Sequence, residues 1–183
     1  MFDIGLIIGR FQPVHLGHIA LITDALSKCE EIVVIIGTDS GERTPKNPFL
    51  SYERMDMIES CISKEDIKRV HFYPIRDHGN IVTWTQEVRD YVQTLYVSED
   101  GDPVGLFGFK KDETSYYLDH FPEYTSAITD MAYNGCVNST EIRVDYFKNG
   151  VIDETNLHPN VQEYLNKFRI GRDELFECNY FNY

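Results

Sequence analysis

The chain has 183 residues, a formal net charge of −13, and a composition of 42% hydrophobic and 26% charged residues. These values are typical of one globular domain and not of a disordered chain. The negative charge argues against nucleic acid and anionic membranes as partners, and the longest apolar runs are too short to span a bilayer.

The first half of the chain alternates strand and helix patterns. Short apolar runs predict buried strands at residues 2–8, 32–36, 70–75 and 104–109. Apolar residues at helical spacing predict the intervening helices, which cover residues 18–28, residues 51–62 with Ser51 as the N-cap, and a stripe from Trp84 to Leu95. This order predicts an α/β fold in which a parallel sheet carries helices on both faces.

The second half of the chain is less regular. Helices are predicted over residues 140–147 and 160–168, with Pro159 in a first helical turn. We expect one domain over residues 1–168 and a C-terminal tail over residues 169–183. The tail is rich in aromatic residues, and we expect it to pack against the domain or against a second subunit.

A polar loop follows the first predicted strand, where the ligands of parallel α/β sheets bind. Gly17 lets the main chain approach a phosphate, and His18 is predicted to begin a helix whose N–H groups and dipole favour an anion. His15 and His18 could instead be a metal-ligand pair, but no Cys, Asp or Glu cluster completes such a site. The loop therefore predicts polyphosphate binding.

The residues from Gly9 to His18, GRFQPVHLGH, resemble the GxFxPxHxGH signature of the HxGH nucleotidyltransferase superfamily. In the form GRFQPxHxGH the segment is similar to archaeal-type nicotinamide mononucleotide (NMN) adenylyltransferases, including those fused to a Nudix hydrolase. The resemblance implies a Rossmann-like fold in which His15 and His18 hold the phosphates of ATP through the transition state. It also implies an ATP-binding set in this loop, comprising Gly9, Arg10, Phe11, Gln12 and Gly17.

A second segment, Asn138-Ser139-Thr140-Glu141-Ile142-Arg143, resembles the STxxR signature of the same superfamily. Asn138 or Ser139 is predicted to cap a helix, and Arg143 lies one turn further on. A guanidinium there can bind the β and γ phosphates through two hydrogen bonds, although an ordinary capped helix with a surface arginine has the same pattern. The resemblance implies a catalytic Arg143 and phosphate-binding roles for Asn138, Ser139 and Thr140.

Two further basic segments follow predicted strands. Arg43 and Lys46 lie in a proline-stiffened loop that predicts a flap over the triphosphate, the alternative being a solvated loop. Gly108, Lys110 and Lys111 belong to a GxKKD segment like that of the Nudix-fused relatives, in which Gly108 leaves room for a nucleotide. Neighbouring residues of an extended segment point to opposite faces, so only one of the two lysines would reach phosphate, and the sequence leaves open which.

Trp84 and Asp77 are the candidate residues for the acceptor. Trp84 is the only tryptophan and lies on an apolar helical stripe, so it could be a core anchor. The resemblance implies that its indole stacks on the nicotinamide ring, a favourable cation–π arrangement, and that Asp77 binds NMN. Ile81 occupies a position where a polar residue is expected, which leaves the choice of base open.

The resemblance implies an enzyme that transfers the adenylyl group of ATP to NMN, forming NAD and pyrophosphate. It implies Mg²⁺ held mainly by the phosphates, with no metal-binding residues in the chain. The alternatives are another acceptor (nicotinate mononucleotide, FMN or phosphopantetheine) or a non-catalytic nucleotide sensor. No Nudix signature is present, so hydrolase activity is not implied.

The cysteines and the N-terminus suggest a compartment. Cys29, Cys61, Cys136 and Cys178 include no CxxC pair, which disfavours structural zinc and a disulfide framework. The N-terminus lacks the pattern of a signal peptide. We therefore expect free thiols in a cytoplasmic protein that forms a homo-oligomer and binds neither nucleic acid nor membranes.

Overall fold

Five parallel strands form one sheet in the order β3-β2-β1-β4-β5. The computed structural model describes residues 1–95, 104–109, 113–129 and 137–177, and the side chains of all of these except 113–116, 128–129 and 169–177. The strands are β1 (Phe2–Gly9), β2 (Cys29–Ile36), β3 (Val70–Pro74), β4 (Gly105–Phe109) and β5 (Thr125–Thr129).

Five α-helices accompany the sheet in the described part of the chain. They are α1 (Leu16–Lys28), α2 (Ser51–Glu59), α3 (Ile81–Leu95), α4 (Ser139–Val144) and α5 (Pro159–Glu177). Short 3-10 turns cover Asp66–Arg69 and Glu113–His120, and a π-helical segment, Asp145–Asn149, continues α4. None of the described helices is both long and apolar enough to cross a membrane.

The two faces of the sheet carry separate apolar cores. On one face Ile7 and Val34 pack with residues of α1, α2 and α5, among them Ile22, Met57 and Leu165. The opposite face packs against α3 and contains its own buried set, which includes Ile4, Leu6, Val33, Ile35, Val88 and Val92. The alternation of neighbouring β1 and β2 residues between the cores follows from the two-residue period of a strand. The predicted α/β sheet with helices on both faces is confirmed.

Several predicted helix boundaries are wrong. Helix α1 begins at Leu16 and not at His18, because the side chain of His15 acts as its N-cap. Helix α2 is capped by Leu50, with Ser51 as its first residue, and it ends at Glu59 rather than residue 62. Helix α5 continues nine residues past Phe168, to Glu177.

Strand β5 was not predicted from the sequence. Its residues Thr125 and Ser126 are exposed, and the strand pairs only with β4, at the edge of the sheet. An exposed edge strand lacks the continuous apolar run of a buried parallel strand, which was the signal used for the other four. The predicted packing of the tail, residues 169–183, lies outside the described side chains.

Candidate active site

Three aromatic rings form a cluster where β1 leads into α1, and two of them, those of His15 and His18, are stacked. The ring centroids of His15 and His18 are 3.6 Å apart with an interplanar angle of 23°, and the Phe11 ring lies 4.8 Å from that of His18. Phe11 and His15 are buried, whereas His18 is partly exposed. The structure therefore brings together, at the carboxyl end of β1, the two histidines that the sequence pattern singled out.

The two histidines also form a reciprocal hydrogen-bonded cap. The His18 N–H donates to Nδ1 of His15 at 3.4 Å, and the His15 N–H donates to Nδ1 of His18 at 3.2 Å. This is a capping box in which imidazoles replace the usual hydroxyl and carboxylate. Because each Nδ1 accepts a hydrogen bond, a neutral ring carries its proton on Nε2. Two N–H donors thus lie at the positive end of the α1 dipole, where an anion is stabilised.

The first main-chain N–H groups of α1 are partly used by the protein itself. The Leu16 N–H donates to the carbonyl of Asn156 at 2.8 Å, and the His18 N–H is occupied by His15. The His18 N–H, which was expected to be available to an anion, is therefore committed within the protein. No sequence pattern pointed to Asn156, because the contact joins distant parts of the chain; Asp153 holds the Asn156 amide at 2.7 Å.

Two glycines make room for the rings of this cluster. A Cβ on Gly9 would lie 2.8 Å from Cζ of Phe11, and a Cβ on Gly17 would lie 3.1 Å from Cε1 and Nδ1 of His15. Both distances are shorter than ordinary van der Waals contact. In this structure the absence of a Cβ at positions 9 and 17 leaves room for the rings of Phe11 and His15.

Gln12 links the loop after β1 to the segment before α2. Its side chain is buried, with Nε2 donating to the Phe49 carbonyl at 2.8 Å and Oε1 accepting from the Phe49 N–H at 3.0 Å. Its own carbonyl accepts a hydrogen bond of 2.6 Å from Nη1 of Arg143. The Gln12 side chain is thus committed to Phe49, while its main chain brings Arg143 to the histidine loop.

Arg143 is held in a fixed orientation at this junction. Its Nη2 donates to Oγ1 of Thr140 at 3.1 Å, and the guanidinium is buried. Asn138, rather than Ser139, caps α4, because its Oδ1 accepts from the Thr140 N–H at 2.9 Å. The STxxR-like segment therefore lies against the histidine loop, as expected if both contact one polyphosphate.

Arg43 makes contacts that the flap prediction did not include. Its guanidinium forms a two-point pair with the Glu53 carboxylate at 2.5 and 2.8 Å, donates to the Pro48 carbonyl at 2.7 Å, and lies 5.0 Å from the Phe168 ring. The hydrogen bond to Glu53 raises the pKa of Arg43. Here Arg43 ties its loop to α2 and α5, whereas Lys46 is exposed.

The remaining predicted phosphate ligands lie near the strand ends. Arg10 is exposed directly after β1. Gly108 is buried in β4, and a Cβ added to it would lie 3.1 Å from Cδ1 of Leu118, so its open side faces a leucine. Lys110 and Lys111 fall outside the described residues.

The acceptor candidates lie on the other face of the sheet. Asp77 is exposed in the loop between β3 and α3, and Trp84 is half-buried on α3. The Trp84 indole meets the rings of Tyr117 and Phe121 edge-on, at centroid distances of 6.3 Å in both cases. Trp84 is therefore anchored by core aromatics yet keeps part of its surface exposed, so both roles considered for it are compatible with its position.

Arg54 was missed by the sequence analysis. This α2 residue is 1% exposed, and it donates to the carbonyls of Arg10 at 2.8 Å and Gly37 at 2.6 Å. Burial lowers its pKa to about 10. An amphipathic helix pattern does not distinguish a buried arginine from a solvated one, so no sequence signal identified it.

A family model described as cytidylyltransferase-like matches residues 6–144, an interval that includes both histidines and Arg143. The chain belongs to the cytidylyltransferase-like family. The match extends over most of the described sheet, so the predicted superfamily resemblance is confirmed.

Curated members of the family are similar to this chain over most of their length. A nicotinamide/nicotinic acid mononucleotide adenylyltransferase of Acinetobacter baylyi is 38% identical over 152 residues, which are 83% of this chain and 79% of that protein. A nicotinamide-nucleotide adenylyltransferase of Sulfurisphaera tokodaii is 32% identical over 137 residues, 74% of each chain.

A solved structure of the family has the same fold as this chain. The bifunctional NMN adenylyltransferase/ADP ribose pyrophosphatase of Francisella tularensis superimposes with a TM-score of 0.82 at 30% identity, over 98% of this chain. This chain spans about half of that bifunctional protein, 54% of its length. A second structure of the Francisella protein, with a TM-score of 0.81, is a complex with AMP and a manganese ion.

Proposed function

We propose that this chain transfers the adenylyl group of ATP to nicotinamide mononucleotide, forming NAD and releasing pyrophosphate. The observation that carries the proposal is the contact between Arg143 and the Gln12 carbonyl, which joins the STxxR-like segment to the paired histidines. Sequence identity of 38% to a nicotinamide/nicotinic acid mononucleotide adenylyltransferase and of 32% to a nicotinamide-nucleotide adenylyltransferase supports it.

The reaction needs orientation and charge stabilisation more than proton transfer. An oxygen of the NMN phosphate attacks the α-phosphorus of ATP, and the bond from that phosphorus to the bridging oxygen of pyrophosphate breaks. A phosphate monoester has a second pKa of about 6, so the attacking group is already largely dianionic at neutral pH. No general base is required, and the electron pair leaves with pyrophosphate.

The histidine pair would supply the hydrogen bonds at the reacting phosphate. With Nδ1 engaged in the cap, each ring presents an Nε2–H donor, and such donors stabilise the charge that develops on phosphate oxygens. We assign this role to His15 and His18, and we assign binding of the departing pyrophosphate to Arg143. Arg10, Lys46 and one of Lys110 and Lys111 are proposed as further phosphate ligands.

We propose the face of α3 as the acceptor site. The exposed part of the Trp84 indole would stack on the cationic pyridinium of NMN, and the exposed Asp77 carboxylate would accept hydrogen bonds from the nucleotide. Nicotinate mononucleotide carries the same pyridinium. It is therefore the main alternative acceptor, and the name of the Acinetobacter relative includes both.

Mg²⁺ is the divalent ion that we propose as the companion of ATP. Among the described residues, no group of three or more His, Cys, Asp and Glu side chains is placed to hold a metal. The histidine loop offers ring nitrogens, whereas Mg²⁺ prefers oxygen ligands. These residues do not fit a resident metal site, so the ion would be held by phosphate oxygens.

One coupled assay tests the proposal. Purified protein is incubated with ATP and either NMN or nicotinate mononucleotide, and both pyrophosphate and the dinucleotide are measured. We expect NAD and pyrophosphate in equal amounts with NMN, and FMN and phosphopantetheine serve as control acceptors. If none of the acceptors leads to release of pyrophosphate, a non-catalytic nucleotide sensor is the better description of this chain.

Size-exclusion chromatography with light scattering would test the proposed homo-oligomer. Fractionation of cells would test the proposed cytoplasmic location.

A further inference from the structure

Arg54 connects the two strand ends that frame the phosphate loop. Its Nη1 donates to the carbonyls of Arg10, just after β1, and of Gly37, just after β2. Weaker hydrogen bonds of 3.4 Å reach the carbonyls of Thr38 and Leu50. Every hydrogen bond that Arg54 makes within the described part of the chain ends on a main-chain carbonyl, and none reaches a carboxylate.

The carbonyl groups that accept hydrogen bonds from Arg54 lie next to two residues with a left-handed backbone conformation. Among the described residues, Phe11 and Thr38 are the only ones other than glycine with a positive φ, at 54° and 56°. The Arg10 carbonyl belongs to the peptide before Phe11, and the Gly37 and Thr38 carbonyls belong to the peptides on either side of Thr38. A left-handed conformation is unfavourable for an aromatic or β-branched residue and persists where its surroundings enforce it.

Each left-handed residue directs the chain at the end of its strand. The turn at Phe11 places its ring against His18. The Gly37 N–H donates to the Gly9 carbonyl at 2.8 Å, so the ends of β1 and β2 are hydrogen-bonded to each other. A single guanidinium with several donors in a rigid plane can hold both turns, which a lysine ammonium does less well.

We propose that Arg54 is a positioning residue for ATP, one that holds the left-handed turns at Phe11 and Thr38 and so sets the geometry of the phosphate loop. This inference rests on the proposed function, since it assumes that the loop binds the triphosphate. Among the described residues no carboxylate forms a salt bridge with Arg54, and Asp39 and Glu53 act on its charge only through space, so its direct contacts are those to the main chain of the two turns.

The test measures the dissociation constant of ATP by calorimetry, without acceptor, together with the melting temperature. Arg54→Met removes the donors, Arg54→Lys keeps the charge, and Met57→Ala is the control because Met57 is a fully buried residue of the same helix. We expect Arg54→Met to weaken ATP binding by about tenfold or more and Arg54→Lys by less. The control should lower the melting temperature and change ATP affinity by less than about twofold.

A suppressor variant separates positioning from general stability. Glycine adopts positive φ without strain, so adding Thr38→Gly to Arg54→Met should restore part of the lost ATP affinity. A merely structural role for Arg54 predicts no such recovery, because glycine fills no space and makes no new contact.

Several outcomes would overturn the inference. The first is a folded Arg54→Met variant that binds ATP as tightly as the wild type, and the second is a Met57→Ala variant that loses as much ATP affinity as Arg54→Met. The third is that adding Thr38→Gly to Arg54→Met restores no ATP affinity. The fourth is that the Arg54 variants fail to fold although Met57→Ala folds. Because ATP binding is measured alone, a chain that binds ATP but makes no dinucleotide contradicts the proposed function and leaves the inference about Arg54 standing.

Discussion

At the scale of single residues, His18 has two tasks that one substitution can confuse. Its Nδ1 closes the capping box of α1, and its Nε2–H is the proposed donor to the α-phosphate. Glutamine is the usual partner at this third helical position and keeps the return hydrogen bond to residue 15 without an imidazole. The pair of variants His18→Gln and His18→Ala therefore separates capping from catalysis.

We expect His18→Gln to lower kcat by about a hundredfold or more while its melting temperature stays near that of the wild type. His18→Ala should lose the same activity and also some stability, of about 0.5–2 kcal/mol, because the cap is broken. Steady-state kinetics and thermal unfolding of both variants are the measurements. A stable His18→Gln with normal turnover would remove the imidazole from the mechanism.

Trp84 decides whether the acceptor is a pyridine nucleotide. Loss of a desolvated cation–π contact of ~1–2 kcal/mol corresponds to a KM for NMN raised about five- to thirtyfold in Trp84→Ala, with the KM for ATP much less affected. Val88→Ala is the matched control, because Val88 is a fully buried α3 residue of the same core. It should lower stability and leave the KM for NMN near normal.

Kinetics with each substrate varied, beside thermal unfolding, separate these outcomes. The indole also provides a direct signal, since the only tryptophan of the chain should change its fluorescence when NMN is added. If Trp84→Ala is less stable by about 3–5 kcal/mol yet binds NMN normally, Trp84 is a core anchor and the stacking role is wrong.

At the scale of secondary-structure elements, the glycine in the first turn of α1 makes the helix less stable but leaves room for the His15 ring. Gly17 is a poor helix former, and alanine would favour the helix by roughly 0.5–1 kcal/mol. The added Cβ, however, would lie 3.1 Å from two atoms of the His15 ring. The substitution Gly17→Ala should therefore stabilise the helix and displace the stacked His15 ring.

We therefore expect Gly17→Ala to reduce kcat by about tenfold or more without lowering the melting temperature, because a misplaced donor costs catalysis more than it costs folding. Ser27→Ala in the exposed last turn of α1 is the control, and it should leave kcat unchanged. Normal activity in Gly17→Ala would mean that the His15 ring can shift without consequence.

At the scale of the whole molecule, Cys29 reports on opening of the core. It is 1% exposed where α1 joins β2, and burial, followed by the charge of Asp24, raises its pKa to about 11. The thiolate is the reactive form, so only about 0.1% of the native thiol would be reactive at pH 8 even if reached. Modification should therefore require unfolding.

We expect iodoacetamide to modify Cys29 far more slowly in the native protein than in urea, as followed by mass spectrometry of peptides. Cys61, which is partly exposed, is the internal control and should react sooner. ATP at about 100 times its dissociation constant stabilises a protein by about 2.7 kcal/mol and should slow Cys29 labelling about a hundredfold. Equal labelling rates with and without ATP would contradict binding to the folded state.

The sequence alone was sufficient for the parts of this protein that depend on local pattern. Apolar runs located four of the five strands in the described part of the chain, and helical spacing located the helices between them. The residues from Gly9 to His18 indicated the edge of the sheet where phosphate would bind. These features are encoded within a few residues, because strand and helix periodicity are properties of short segments.

Only the tertiary structure decided which polar groups hold the site together. Gln12 is hydrogen-bonded to Phe49, which is 37 residues away in the sequence. Arg54 is hydrogen-bonded to Arg10 at a separation of 44 residues, and Arg143 to Gln12 at a separation of 131 residues. Arg43 likewise pairs with Glu53 rather than remaining in a solvated loop. The partner of each of these side chains depends on which strand ends lie side by side. The strand order, in which β1 lies between β2 and β4, arises when the helices pack on the two faces of the sheet.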